Sequence, residues 1–182
     1  LVKELGFPFI LKPKRGRGSK GVQIIESLAQ YENVKAMPNI QLDNYIAQQL
    51  IVGEEYTVTV SASSSGVLKA IVPVKIKEKR GVTVKAKISR NSVIEDYCRL
   101  IHASLPAKGV YNVQLMLSSA GLPFCFEINP RISTTSCFAM AAGIDFIDNY
   151  FSENTQFCND YNDRLTLTRF YINEFRELGE QR

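Results

Sequence analysis

Apolar residues along the chain come in short runs punctuated by glycine, proline and clusters of charge. Residues 1–5 read as the end of a helix, closed by Gly6-Phe7-Pro8. Residues 9–12 form a short apolar run stopped by Pro13, which predicts a buried strand. A basic, glycine-rich loop follows over 13–21, and 22–25 resume as strand. Residues 26–36 carry a helical pattern that ends before Pro38; 45–51 predict another strand, broken at Gly53. Residues 56–60 alternate with period two, 63–66 (Ser-Ser-Ser-Gly) are turn material, and 67–76 supply a pairing partner. The basic stretch 77–90 is expected to be mobile. Val93, Tyr97, Leu100 and Ile101 recur at helical spacing within 93–104. Residues 110–117 and 122–128 predict two strands joined by a turn, 137–142 and 144–151 two helices, 154–163 a polar loop, and 165–172 a final edge strand.

This order gives an α+β chain built on antiparallel sheets with flanking helices, not a β-α-β-α alternation. Two lobes are expected, 1–52 and 53–182. A length of 182 residues suits one sizeable domain or two small lobes. The net charge of +4 is mild; it is compatible with a phosphate-bearing ligand and does not by itself argue for nucleic acid. No run is long enough to predict a membrane span, and no signal peptide is expected. Cys98, Cys125, Cys137 and Cys158 form no C-x-x-C pair, so zinc is not expected and a reducing, cytoplasmic setting is the simplest expectation. The opening at Leu1, in mid-pattern, leads us to expect a piece of a longer protein.

Gly16-Arg17-Gly18-Ser19-Lys20-Gly21 matches G-x-G-x-x-G. A dinucleotide fingerprint needs a helix next, and the strand pattern at 22–25 rules that out. A glycine loop between two strands can instead fold its backbone N–H groups over a triphosphate. Lys14, Arg15, Arg17 and Lys20 add positive charge, and Lys12 is placed to reach a phosphate. The alternative is a solvated basic turn.

The segment 109–131 is the most informative. Folded about Ala120-Gly121, it opposes Leu117 to Phe124, Leu115 to Phe126 and Val113 to Ile128 on one apolar face. The other face opposes Met116 to Cys125, Gln114 to Glu127 and Asn112 to Asn129, with Cβ atoms about 4.5–5.5 Å apart. Gathered oxygen ligands suit Mg²⁺ or Mn²⁺. The alternative is a solvent-facing polar side. The lone His102 is expected to be structural, and Phe124, Phe126, Tyr150 and Phe151 are expected in the core.

Five stretches in order resemble the ATP-grasp superfamily, nearest its carbamoyl-phosphate-synthase-like and small carboxylate–amine ligase members: residues 6–13, Gly16 to Gly21, 48–58, Asn112-Val113-Gln114, and Glu127-Ile128-Asn129-Pro130-Arg131. The resemblance implies an ATP-grasp fold and an ATP- and Mg-dependent ligase that activates a small-molecule carboxylate as an acyl phosphate for attack by an amine. By position it implies nucleotide contacts from Lys12, Gly16, Gly18, Ser19, Gly21, Val22, Gln48, Gln49, Leu50, Ile51, Glu55 and Lys77, with backbone near Gln49 and Ile51 reading the adenine edge and Glu55 the ribose. Gln114, Glu127 and Asn129 would ligate the metal; Arg131, with Asn129, would serve catalysis by steadying the transferred phosphoryl group. Lys75, Arg80 and Lys85 would line the same site. The likeness departs at Gln48, where the family usually has an acid, and at Thr134, where carbamoyl phosphate synthase has a second arginine. An N-terminal domain of the same protein is the implied partner, and a homodimer is left open. Two other functions are weighed: a basic nucleic-acid-binding module, and an ATP-grasp relative that binds nucleotide without chemistry.

Overall fold

The computed structural model describes residues 2–16, 18–152, 154, 156–158 and 160–172; Arg17 lies outside them. The chain divides into two compact units. The first holds Leu1–Glu54 with Met116–Phe124; the second holds Glu55–Leu115 with Cys125–Arg182.

In the first unit, α1 (Val2–Leu5) leads into β1 (Phe9–Pro13), the centre of a three-stranded sheet ordered β2-β1-β3, with β2 at Gln23–Ile25 and β3 at Tyr45–Gln49. Both neighbours pair antiparallel to β1. Alternation puts Phe9, Leu11 and Ile25 into a core with Val34 of α2 (Leu28–Lys35). That helix starts two residues later than its pattern predicts, because Ser27 caps it: the hydroxyl accepts the Gln30 N–H, and Gln30 Oε1 accepts the Glu26 N–H.

The second unit is built on a six-stranded sheet whose full order is β8-β7-β4-β5-β6-β9. The strands are β4 (Gly53–Ala62), β5 (Leu68–Arg80), β6 (Val82–Ile88), β7 (Gly109–Ser118), β8 (Pro123–Asn129) and β9 (Thr166–Thr168). The stretch expected to be mobile is instead the β5–β6 hairpin. Val82, Val84, Ala86 and Ile88 alternate with Thr83, Lys85 and Lys87, so the lysines mark its solvent face. Gly81, at φ 72°, makes the turn. Ala70, Val72, Val74, Ala86 and Ile88 pack beneath Phe138 and Ala139 of α4 (Ser136–Ala141) and Phe146 of α5 (Phe146–Phe151). Each such valine, isoleucine or phenylalanine contributes about 1.5–3 kcal/mol by leaving water.

Helix α3 (Ser92–Ser104) is capped by Asn91, whose side chain accepts the Ile94 N–H at 3.1 Å. Its buried stripe is Ile94, Cys98 and His102, one position round from the expected one; Val93 and Leu100 are exposed. His102 explains the rotation. Its Nε2 meets the Gly66 carbonyl and its Nδ1 the Tyr111 hydroxyl, each at 2.9 Å, so the imidazole belongs inside. The final strand is only three residues long, with Phe170, Tyr171 and Ile172 exposed beyond it.

Two expectations about the hairpin are corrected. At its tip the Gly121 N–H donates to Ser118 O and the Ser118 N–H to Leu122 O, both at 2.9 Å. Gly121 sits at φ 77°, so the turn is a three-residue loop centred on Ala120, and Ser118 faces Leu122. This displaces the expected pairs, Leu117 with Phe124 among them, by one residue at the tip, and the residues expected on one apolar face are buried only in part. Val113 and Leu115 are fully covered, but β8 is the edge strand and leaves Phe124 38% and Ile128 37% exposed. Phe151, at 73% exposed, is likewise outside the core.

Gly53 opens β4 where a Cβ would lie 2.0 Å from the Leu117 carbonyl oxygen, 2.7 Å from its carbon and 2.9 Å from Ser118 Cα. Backbone cannot yield as a side chain does. Gly53→Ala is expected to destabilise the chain by about 1–3 kcal/mol in urea unfolding, the range for forced overpacking; an unchanged midpoint would contradict the close approach.

Candidate functional site

In the first unit, the sheet face opposite the core carries Ile10, Lys12, Ile24, Ile46 and Gln48. The register sets Ile10 against both Ile24 and Gln48, and Lys12 against Ile46. Ile24, Ile46 and Val22 are each more than 40% exposed, an apolar patch with a cation at its end. Beyond it, the loop takes positive φ at Gly18 (63°), Ser19 (58°) and Gly21 (77°). Glycine accepts that backbone freely; Ser19 does so at a cost of about 1–3 kcal/mol. Gly16 and Lys20 complete the loop. Strand β3 ends at Gln49, so Leu50 and Ile51 lie outside the ladder and their backbone groups are not committed to it.

In the second unit, Glu127 and Asn129 come together as their two-residue spacing requires: Asn129 Nδ2 donates to Glu127 Oε1 at 3.0 Å. Gln114 is tied elsewhere. Its Oε1 lies 3.4 Å from Lys79 Nζ, and that ammonium pairs with Glu55. No hydrogen bond joins Gln114 to Glu127 among the described residues. Lys79 is the residue the sequence reading missed. The signal was Lys75-x-Lys77-x-Lys79, three lysines in strand alternation.

Asn112 does not share the open face. It is fully buried, and its Oδ1 accepts from Thr59 (3.2 Å), Ser133 (3.0 Å) and Ser136 (3.1 Å). Its Nδ2 donates to the Arg131 carbonyl at 2.7 Å. The backbone of Arg131 is thereby pinned next to the Glu127–Asn129 pair, while its exposed guanidinium only brushes the Ile132 carbonyl at 3.2 Å.

The basic residues of the β5–β6 hairpin differ in availability. Arg80 and Lys85 both bind Glu78, at 2.7 and 3.0 Å. Hydrogen bonds from Lys85 and then Arg80 hold the Glu78 carboxyl below its usual range. Lys77 is different. The register passes from Ile76↔Ala86 to Glu78↔Lys85, so Lys77 is the extra residue of a β-bulge. It is exposed and has no partner among the described residues. Bulges of this kind re-aim a side chain.

Glu127, Asn129 and Gln114 offer one carboxylate and two amide oxygens. Such hard donors fit a Mg²⁺ that keeps most of its shell for water and phosphate. Among the described residues no cluster of three His, Cys, Asp or Glu side chains could hold a metal alone. No helix among them is long and apolar enough to cross a membrane, and all four cysteines are free.

The family model described as ATP-grasp in the biosynthetic pathway with Ter operon matches residues 41–169, well over half of the chain. The chain belongs to this ATP-grasp family. Its α+β fold is shared with N5-carboxyaminoimidazole synthetase from Staphylococcus aureus, solved with ADP, at TM-score 0.67 and 18% identity over 82% of this chain and 41% of that one. The biotin carboxylase domain of Hydrogenobacter thermophilus 2-oxoglutarate carboxylase, solved as a dimer with MgADP, ADP and bicarbonate, gives 0.68 and 18% over 91% and 41%. Biotin carboxylase from Campylobacter jejuni, solved as a β-γ-ATP complex, gives 0.65 and 18% over 91% and 42%. This ATP-grasp chain spans about two fifths of the length of these proteins.

The site makes a contrast that unfolding can measure. Asn112→Leu takes the acceptor from three hydroxyls, two of them buried, and the donor from a carbonyl, and is expected to lose about 2–4 kcal/mol. Lys77→Ala breaks no contact and should stay within about 0.5 kcal/mol of the parent. Similar losses in the two variants would refute these assignments.

Proposed function

We propose that this chain is the nucleotide- and metal-binding part of an ATP-dependent ligase, which activates a small-molecule carboxylate as an acyl phosphate and passes the acyl group to an amine. The observation that supports it most is the Glu127–Asn129 pair, followed at once by an Arg131 whose backbone is fixed by a buried amide and whose guanidinium is left open. The nucleotides in the similar structures, ADP, MgADP and a β-γ-ATP complex, agree with such chemistry.

The reaction has two transfers. A carboxylate oxygen of the substrate attacks the γ-phosphorus of ATP in line, the bond to the β,γ-bridging oxygen breaks, and ADP leaves. The amine nitrogen then attacks the acyl carbon, phosphate departs, and the amine loses a proton. A bound Mg²⁺ supplies charge neutralisation on the phosphates, and Glu127, Asn129 and Gln114 are the residues that would hold it. The protein's part is positioning and electrostatics. Arg131 presents a planar, permanently charged fork to the transferred phosphoryl group. Lys12 and Lys77 add positive charge at the phosphates, and the backbone of Gly16, Gly18, Ser19, Gly21 and Val22 offers N–H donors over them. The apolar patch of Ile24 and Ile46 suits the face of a base, with edge contacts from Gln48, Gln49, Leu50 and Ile51. Glu55 takes the ribose hydroxyls.

Thermal unfolding with Mg-ADP tests the nucleotide and metal roles. At about a hundred times the dissociation constant the ligand adds about 2.7 kcal/mol, a rise on the order of 5–10 °C. The rise should need Mg²⁺ and disappear in Glu127→Gln. A rise of equal size without Mg²⁺, or one that survives Glu127→Gln, would sink the metal assignment. Lys77→Ala should weaken Mg-ADP binding about threefold to tenfold, on the order of one phosphate contact, and unchanged affinity would remove it from the site.

A further inference from the structure

The start of β5 holds a lysine for which the nucleotide chemistry has no use. Lys69 is only 3% exposed, on a strand otherwise lined by Ala70, Ile71 and Val72. Roughly 30 Å of extended strand separates it from Lys79. Its backbone carbonyl accepts the Cys158 N–H at 2.7 Å, but its side chain has no hydrogen-bond or ion-pair partner among the described residues. The side chain is nearly covered, but its ammonium is not sealed from water, so it can meet the counter-charge of a ligand.

Lys69 lines a cavity of about 340 Å³ together with Ile144, Asp145, Asp148, Phe157 and Asp160. Asp145 is committed to its own helix, its Oδ1 accepting the Ile147 and Asp148 N–H groups at 2.8 and 3.0 Å. The carboxylates of Asp148 and Asp160 have no partner among the described residues. Among the described residues, the wall therefore carries one largely covered lysine without an anion and two carboxylates without a cation. The three aspartates disfavour a plain anion such as phosphate. The ammonium disfavours a divalent cation. The volume lies at the small end of ligand cavities, enough for a metabolite and too little for a nucleotide.

We propose that this cavity binds a free α-amino acid as its zwitterion, the carboxylate on Lys69 Nζ and the ammonium between Asp148 and Asp160, with Phe157 and Ile144 beside its side chain. The site does not depend on the nucleotide reading.

Calorimetric titration of the whole chain tests it, with glycine, L-alanine, L-serine, L-glutamate and L-lysine as probes and with acetate and methylamine as single-charge controls. At least one amino acid should bind saturably at millimolar concentration or below, and at least tenfold more tightly than either control. Asp148→Asn, an exposed change that leaves the fold intact, should weaken binding at least tenfold; so should Lys69→Met where that variant folds. The Mg-ADP response of both variants should be unchanged. No binding by any amino acid, acetate or methylamine binding as well as the amino acids, or full affinity in Asp148→Asn would each overturn the proposal. So would loss of the Mg-ADP response together with the amino acid response, since the two sites would then not be separate. Failure of Mg-ADP binding in the parent chain, with amino acid binding intact, would count against the nucleotide reading alone.

Discussion

A single buried amide organises the chemistry-bearing end of the larger unit. Asn112 sits in the middle of β7 with no exposure, yet both ends of its amide are satisfied: three hydroxyls donate to the oxygen and the Arg131 carbonyl accepts from the nitrogen. A buried polar group left unpaired costs about 1–3 kcal/mol, so the network is stable only when all its members are in place. That condition fixes where the chain must go after β8. Ser133 and Ser136 have to return to β7, which starts α4, and Arg131 has to place its carbonyl over Asn112. The backbone of Arg131 is thus held two residues beyond Asn129, and its exposed guanidinium donates only to the neighbouring Ile132 carbonyl.

Charge in the same unit is arranged to a similar end. The β5–β6 hairpin carries an excess of cations, and three of them are matched: Arg80 and Lys85 on Glu78, and Lys79 on Glu55 of β4. Exposed pairs of this sort add little to stability, each about 0–1 kcal/mol. Their effect is to hold side chains in position and to lower the net field. Lys77 escapes this matching because the bulge makes it the extra residue on its strand. A basic surface read from composition alone therefore overstates the charge open to a polyanion, and narrows it to particular residues.

The sequence made the hairpin legible because alternation is a strong signal where one strand is buried on one side. It carried Gln114 and Glu127–Asn129 onto β7 and β8, and the glycine loop onto the turn between β1 and β2. It failed where burial and pairing are set by neighbours distant in the chain. Asn112 reads as one more oxygen on the open face; only the serines that follow β8, and Thr59 on β4, show that it points inward. The 77–90 stretch reads as loop because its lysines mask the Val82-Val84-Ala86-Ile88 alternation, which becomes decisive once β5 supplies an edge. The α3 stripe shifted because a histidine, counted as polar, was paired inside. Edge position, which exposes Phe124 and Ile128, is a property of sheet order and leaves no mark on the strand itself.

The proposed metal donors carry little charge, and that has a consequence for how a cation would be held. One carboxylate and two amides attract a strongly hydrated divalent ion weakly, since Mg²⁺ gives up its water reluctantly. The Lys79 ammonium near Gln114 Oε1 weakens the attraction further. Most of the affinity must then come from phosphate oxygens, so that metal and nucleotide arrive together and neither is held well alone. Glu55 bears on the same balance. While it pairs with Lys79 it neutralises that ammonium; if it turns to a ribose, Lys79 is released beside Gln114, where a phosphate oxygen can take it up. Nucleotide binding would thereby exchange a carboxylate partner for a phosphate partner on the same lysine, with little change in the number of paired charges. Under the proposed function, such an exchange would let a nucleotide bind and leave without stranding either charge.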